Sequence, residues 1–245
     1  MKRISLLFEN DDYLVLNKPA GLPVQGGAGV GASLDALLAG EWSPPPLLVH
    51  RLDKDTSGVI LVAKNRPAAG RFSALLRARR IGKRYLAVCA GRPRPGRGTI
   101  RISLAAGDRE KEADTSYVRL SGGVLKTGMG IARGGAVKDA VMEEAGGETA
   151  SSIMAYSLLE LILGTGRMHQ IRRHLAQTGN PILGDGKYGD FPLNKTLRKT
   201  MGLKRMLLHA SRLLLPPELT GEALEIEAPV PPYFEPFVSR QPPPG

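Results

Sequence analysis

The segment His50-Arg-Leu-Asp-Lys-Asp-Thr-Ser-Gly58 sets the carboxyl group of Asp53 between Arg51 and Lys54, in a polar stretch that enters the apolar run Val59-Ile-Leu-Val-Ala63. A neighbouring cation keeps a carboxylate ionised even when it is partly withdrawn from water, which a nucleophile or general base requires. The plainer reading is a turn in which Asp, Thr and Ser bond their own backbone. A second segment, Gly164-Thr-Gly-Arg-Met-His-Gln-Ile-Arg-Arg-His174, puts Arg167 and Gln170 at the N-terminal end of a helix. The backbone dipole there attracts anions, so this end can hold a phosphate or a carboxylate. Ile171 and Leu175, four apart, face the core, which leaves His174 as a hydrogen-bonded packing residue. His169 and His174 are five apart, about 140° around a helix, so they do not form the i, i+4 pair of a zinc site and no metal is expected.

Other chemistries find less support. Ser57 lies in Thr56-Ser-Gly58 rather than in the Gly-x-Ser-x-Gly turn of a serine hydrolase. Gly27-x-Gly29-x-x-Ala32 is a degenerate dinucleotide fingerprint, but Pro19 and Pro23 separate it from the preceding strand and no full βαβ pattern follows. Asp53 and Asp55 could in principle act as the paired carboxylates of a glycoside hydrolase, a separation that sequence cannot give. The single cysteine, Cys89, excludes an intramolecular disulfide and a Cys-rich zinc site.

The elements that must position these residues follow from pattern. Tyr13 to Lys18 reads as a strand stopped by Pro19, and Ser33 as the N-cap of a short helix to Leu38. Leu47 to Val49 and Val59 to Ala63 are apolar runs flanking the polar loop, the second β-branched and typical of a buried strand. Pro67, Phe72, Leu75 and Leu76 predict a helix to about Arg80, and Lys83 to Ala90 returns as a strand. Tyr156 to Leu163 is a strand, Gly164 to Gly166 a turn, and His169 to Thr178 a helix closed by Gly179 and Pro181. Further strands are expected at Met206 to Leu215 and Ala223 to Glu227. Residues 121–150, rich in Gly, Ala and charge, read as a flexible insertion, and the Pro-rich end from 229 as a surface-lying tail.

The chain has 245 residues and a formal net charge of +11. Residues 51–110 hold 15 Lys or Arg against 4 Asp or Glu, a net 15 − 4 = +11, while the remainder cancels at 19 of each sign. Such concentration suits a polyanion, because each phosphate neutralised releases condensed counterions. The plainer alternative is a solvated basic face. The longest apolar runs fall far short of the roughly 20 residues a bilayer crossing needs, and no signal-peptide apolar region follows Met1. A single-domain cytoplasmic protein that avoids membranes is expected.

Taken together the segments resemble the RluA-type family of RNA pseudouridine synthases. The likeness begins at Asp12-Tyr-Leu-Val-Leu-Asn-Lys-Pro-Ala-Gly-Leu-Pro-Val24 and is most specific at His50 to Gly58 with Ala63-Lys64. It continues through Lys83-Arg-Tyr85, Gly166-Arg-Met-His-Gln-Ile-Arg172, Gly179-Asn-Pro-Ile-Leu-Gly-Asp185 with Tyr188-Gly189, and Leu208-His-Ala210. It implies an α+β fold, a mixed and mostly antiparallel sheet with flanking helices and a basic RNA-binding cleft. It also implies an isomerase that detaches uracil from its ribose, turns it and reattaches it through carbon 5 without cofactor or metal.

On the same resemblance Asp53 is the catalytic carboxylate, Tyr85 lies against the target base, and Arg167 is the cation paired with that carboxylate. Arg51 is the arginine that fills the space of the flipped nucleotide, a role suited to a flat, stacking cation. Lys54, His50, Lys83, Gln170 and Leu208 are expected on the RNA side, Leu208 as apolar packing near the base. The partner is ribosomal RNA, most like that of members acting on the large subunit, with transfer RNA as the alternative, and the enzyme is expected to act as a monomer. Met168 stands where Thr or Ser is common, and residues 111–155 depart from the family's short hairpin. The likeness starts within about a dozen residues of Met1, so docking is expected to rest on the catalytic domain or on a part that lies outside this sequence. The rival reading is a ribosome-assembly factor that keeps the fold without chemistry, but a pure binding module has no need of an acid among its cations.

Overall fold

A computed structural model describes residues 4–27, 31–107, 109–126, 140–142 and 152–238. In chain order the first elements are β1 (Ser5–Glu9), β2 (Tyr13–Lys18), α1 (Leu34–Glu41), β3 (Leu47–Leu48), β4 (Ser57–Ala63), α2 (Arg66–Arg77) and β5 (Gly82–Ala90). There follow β6 (Arg97–Arg101), β7 (Leu104–Ala106), β8 (Arg109–Lys111), β9 (Asp114–Lys126), β10 (Ala140–Met142), β11 (Ser152–Leu163), α3 (Gln170–Gln177) and α4 (Phe191–Met201). The chain ends with β12 (Leu208–Leu215), α5 (Pro217–Thr220), β13 (Leu224–Glu227), a 3₁₀ turn at Pro232–Phe234 and α6 (Glu235–Val238).

Two units divide the chain, Met1–Tyr85 with His209–Val230, and Leu86–Leu208 with Pro231–Gly245. In the first, β2 pairs antiparallel with β1 and β4, and β4 pairs parallel with β12, whose later residues Arg212 to Leu215 pair antiparallel with β13. Every residue of β4 is buried, as its unbroken Val/Ile/Leu run predicts for a strand covered on both faces. Gly58 shows how tightly β4 meets β12: its φ is +110°, and a Cβ there would stand 2.0 Å from the Ala210 carbonyl oxygen. α2 is capped by Asn65, whose side chain accepts from the Ala68 N–H at 2.9 Å, and Phe72 buries its inner face. Ser33 stands at the N-cap of α1, but its hydroxyl donates to the Asp35 carboxylate instead of capping the helix.

In the second unit β9 pairs antiparallel with β11 and β6, and β10 with β11. The sheet pairings are thus mostly antiparallel, as expected for the fold class. Residues 121–126, expected within a flexible insertion, instead continue β9 against Leu158 to Ile153 of β11. Residues 140–142 form β10, while 127–139 and 143–151 lie outside the described residues, as do 28–30 of the glycine-rich loop. The Pro-rich end does not lie on the surface throughout. Phe234 and Phe237 are fully buried, Phe237 with its ring edge-on to Tyr156 at 5.3 Å, because two aromatic side chains gain more from the core than the prolines lose. Among the described residues no helix is long and apolar enough to cross a membrane.

Candidate active site

Between β3 and β4 the polar loop is pinned from several sides. The Leu61 N–H of β4 donates to His50 Nε2 at 3.0 Å, and Leu52 is buried beside it in sequence. The Thr56 N–H closes a turn on the Asp53 carbonyl at 3.2 Å, and the Gly21 N–H reaches the Lys54 carbonyl at 2.8 Å. The firmest tie is Lys18, 0% exposed, whose ammonium donates to the carbonyls of Pro19 (3.0 Å), Leu22 (2.9 Å) and Lys54 (3.1 Å). Burial lowers its pKa to about 8, against the pull of Asp55 and Asp53. Asp53 therefore sits on a loop whose backbone is fixed by hydrogen bonds, which is what a reacting carboxylate needs to keep its aim.

Tyr85 is 6% exposed, and burial, reinforced by the Asp53 charge, pushes its hydroxyl well above the ordinary tyrosine value. It is a neutral donor at any working pH. His50 is held neutral, its pKa brought down to about 3 by burial and then by the charge of Lys83, itself lowered by burial. The first unit thus brings together Asp53 with Tyr85 and His50 with Lys83, while the side chains of Arg51 and Lys54 are exposed. Beneath the loop's exit the Ser57 hydroxyl meets His209 Nδ1 at 2.9 Å.

The second unit holds Arg167 in the turn between β11 and α3, exposed, with Nε 3.4 Å from the Glu112 carbonyl. Gln170, expected to face an anion, is instead 2% exposed and wholly engaged. Its Oε1 accepts from the Arg167 N–H (3.0 Å) and the Thr165 hydroxyl (2.6 Å), and its Nε2 donates to the Asp114 carbonyl (2.8 Å) and Thr115 Oγ1 (3.0 Å). Thr115 passes its own proton to His174 Nδ1 (2.9 Å), whose Nε2 donates to the Ile102 carbonyl (3.0 Å). Gln170 is a brace for the Arg167 backbone, and His174 is a satisfied packing residue as expected. Leu208 is buried.

Sequence reasoning passed over three features. Lys18 is an inward-facing lysine at the end of a strand, a signal that was present but unread. The Arg172 guanidinium pairs with both oxygens of the Asp185 carboxylate, each contact at 2.8 Å and both partners buried. Thr115, from a strand more than fifty positions before Gln170, carries no local signal at all.

The mixed, mostly antiparallel sheet is that of the pseudouridine synthase domain. The solved structure of human RNA pseudouridylate synthase domain containing 4 aligns over 94% of this chain and 90% of its own at 26% identity, with a TM-score of 0.70. Human RNA pseudouridylate synthase domain containing 1 aligns over 93% and 84% at 25% identity, with a TM-score of 0.68. The RNA pseudouridylate synthase family matches residues 12–177, and this chain belongs to that family. It is accordingly an isomerase that converts uridine to pseudouridine in RNA. Similar curated proteins are ribosomal large subunit pseudouridine synthase C of Rickettsia bellii, 32% identical over 94% of this chain and 69% of that one, and its namesake in Salmonella typhimurium, 36% identical over 92% and 66%. Ribosomal large subunit pseudouridine synthase D of Haemophilus ducreyi is 32% identical over 94% and 68%.

Proposed function

We propose that this enzyme isomerises uridines of large-subunit ribosomal RNA, acting in the cytoplasm as a monomer, with Asp53 as the catalytic carboxylate. The observation that carries the reading is Asp53 on a braced loop, close enough to the buried hydroxyl of Tyr85 to raise its pKa. An ionised acid beside a neutral phenol suits a reaction in which the base leaves and returns: the carboxylate meets the electron-poor centre and the phenol donates or shuttles a proton. Tyr85 also offers a stacking face to an extruded uracil. Arg167, by the motif it shares with the family, is the catalytic cation of this reading, and Arg51 takes the place of the flipped nucleotide. Lys54, Lys83 and His50 line the same loop and strand on the RNA side, and Leu208 supplies apolar packing. The names of the relatives favour ribosomal over transfer RNA.

The test is to incubate the enzyme with unmodified transcripts of large-subunit ribosomal RNA and of transfer RNAs, then treat with carbodiimide and map reverse-transcription stops. New stops at one or a few uridines of the ribosomal RNA are expected. Stops confined to transfer RNA would overturn the assignment of substrate.

A further inference from the structure

Between Phe191 and Leu208 the sequence has five basic residues and no acidic one. The count over the whole chain hides this segment, because acids elsewhere balance it. α4 explains how its cations are displayed. Leu193 and Leu197 are buried, and the Asn194 side chain accepts from the Gly184 N–H (2.8 Å) and donates to the Asp185 carbonyl (2.9 Å), so 193, 194 and 197 define the inward face. At 100° per residue, Phe191, Lys195, Arg198 and Lys199 then fall within an arc of about 100° on the outward side. All four are exposed, Phe191 by 59%. Gly202, at φ +67°, ends the helix, and Lys204 and Arg205 follow it, also exposed.

Ordinary helix electrostatics covers only part of this. Arg198 and Lys199 complement the negative C-terminal end of α4, but Lys195 in mid-helix and the pair beyond Gly202 do not. Among the described residues none of the five cations pairs with a carboxylate. Unneutralised cations beside an exposed aromatic ring are the surface that phosphates and an unpaired base recognise.

We propose that Lys195, Arg198, Lys199, Lys204 and Arg205 form a docking face for the phosphate backbone of the RNA, with Phe191 stacking on an unpaired base. The proposal rests on the reading of this chain as an RNA isomerase. It adds a contact surface separate from the residues assigned to the reacting nucleotide. Contacts of this kind position the nucleic acid and carry no chemistry, so their loss falls on KM rather than on kcat.

The test is the triple variant Lys195→Gln, Arg198→Gln, Lys199→Gln, three exposed changes to another good helix former, with folding checked by thermal melting. Its affinity for a protein-free fragment of large-subunit ribosomal RNA is measured across a salt series. Removing three phosphate contacts is expected to weaken binding about tenfold or more near 0.15 M salt and to flatten the log–log salt slope by about 2 to 3. Unchanged affinity and slope would overturn the proposal. So would weakening seen only on assembled ribosomal particles, which would point to an acidic protein partner. If wild-type enzyme releases no tritium from 5-tritiated uridine in any RNA, yet the triple variant binds RNA more weakly, the docking face stands and the isomerase reading fails.

Discussion

The ammonium of Lys18 donates to the carbonyl of Lys54 at 3.1 Å, so the residue after Asp53 hangs from a charge buried inside the fold. Replacing that lysine by methionine fills the same space, strips the Pro19 and Leu22 carbonyls of their donor and leaves the Lys54 carbonyl with the Gly21 N–H alone. Each carbonyl left unmet costs about 1–3 kcal/mol, so Lys18→Met is expected to lose about 2 kcal/mol or more of stability and about 100-fold in kcat, with RNA affinity within a few-fold. Urea unfolding and single-turnover kinetics measure the two effects, and a kcat within threefold of wild type would show that the loop holds its shape unaided.

The same residue sets a pH dependence. Burial lowers Lys18 to about 8, and the neutral amine has two N–H bonds for three carbonyls. Activity is expected to fall as pH rises past about 8. Stability should not follow it: between about 8 and the ordinary 10.5 the unfolded chain binds more protons than the folded one, so this group's contribution to stability rises with pH. Parallel loss of activity and stability across that range would contradict the assignment.

Tyr85 is protonated throughout the working range, because burial and then the Asp53 charge raise its pKa. It can donate a proton but cannot begin as a base. Tyr85→Phe is expected to cost about 10²–10⁴ in kcat, the usual scale for a positioned proton donor, while leaving the fold intact. Rates for the variant at pH 7 and 9 should fall in equal proportion; retention of wild-type kcat would remove the phenol from the mechanism.

Thr115 relays between Gln170 and His174 and so reaches the Arg167 backbone. Thr115→Val keeps the shape and removes the relay, with an expected cost of about 1–3 kcal/mol in stability and about tenfold in kcat at unchanged RNA affinity. Thr115→Ser should restore both. A valine variant as active as wild type would confine the network to packing.

Asp185 shows the cost of a buried charge losing its partner. Burial raises its pKa, but the Arg172 guanidinium and the N–H groups of Tyr188 and Lys187 outweigh that and hold it below the ordinary carboxylate value. Its stabilising contribution is therefore present at neutral pH and lost as pH falls through that lowered value. Asp185→Asn removes the carboxylate charge that meets the buried Arg172 guanidinium with two hydrogen bonds and is expected to cost about 3–5 kcal/mol, readable by urea unfolding; a loss under 1 kcal/mol would mean that the guanidinium is satisfied without that charge.

Local patterns in the sequence located β4, α2 and the polar loop because each is decided by neighbours in the chain: a β-branched run, Pro67 at a helix start, an acid between cations. What escaped depends on distant partners. Gly122 and Gly123 suggested flexibility, yet a Cβ at Gly122 would stand 2.6 Å from the Tyr156 carbonyl, so glycine there permits close approach of β9 to β11. Gln170 stood at a helix start suited to anions, and only the arrival of Asp114 and Thr115 from β9 turns its amide inward. Asp53 and Tyr85 were singled out by the family resemblance, whereas the burial that keeps Tyr85 neutral follows from packing alone.

The central claim is that Asp53 carries the isomerisation, and tritium release from RNA labelled at carbon 5 of uridine tests it most directly. Wild-type enzyme is expected to release tritium from large-subunit ribosomal RNA, and Asp53→Asn to release none above background while binding the same RNA within a few-fold. Release by Asp53→Asn at a rate near wild type would contradict the account.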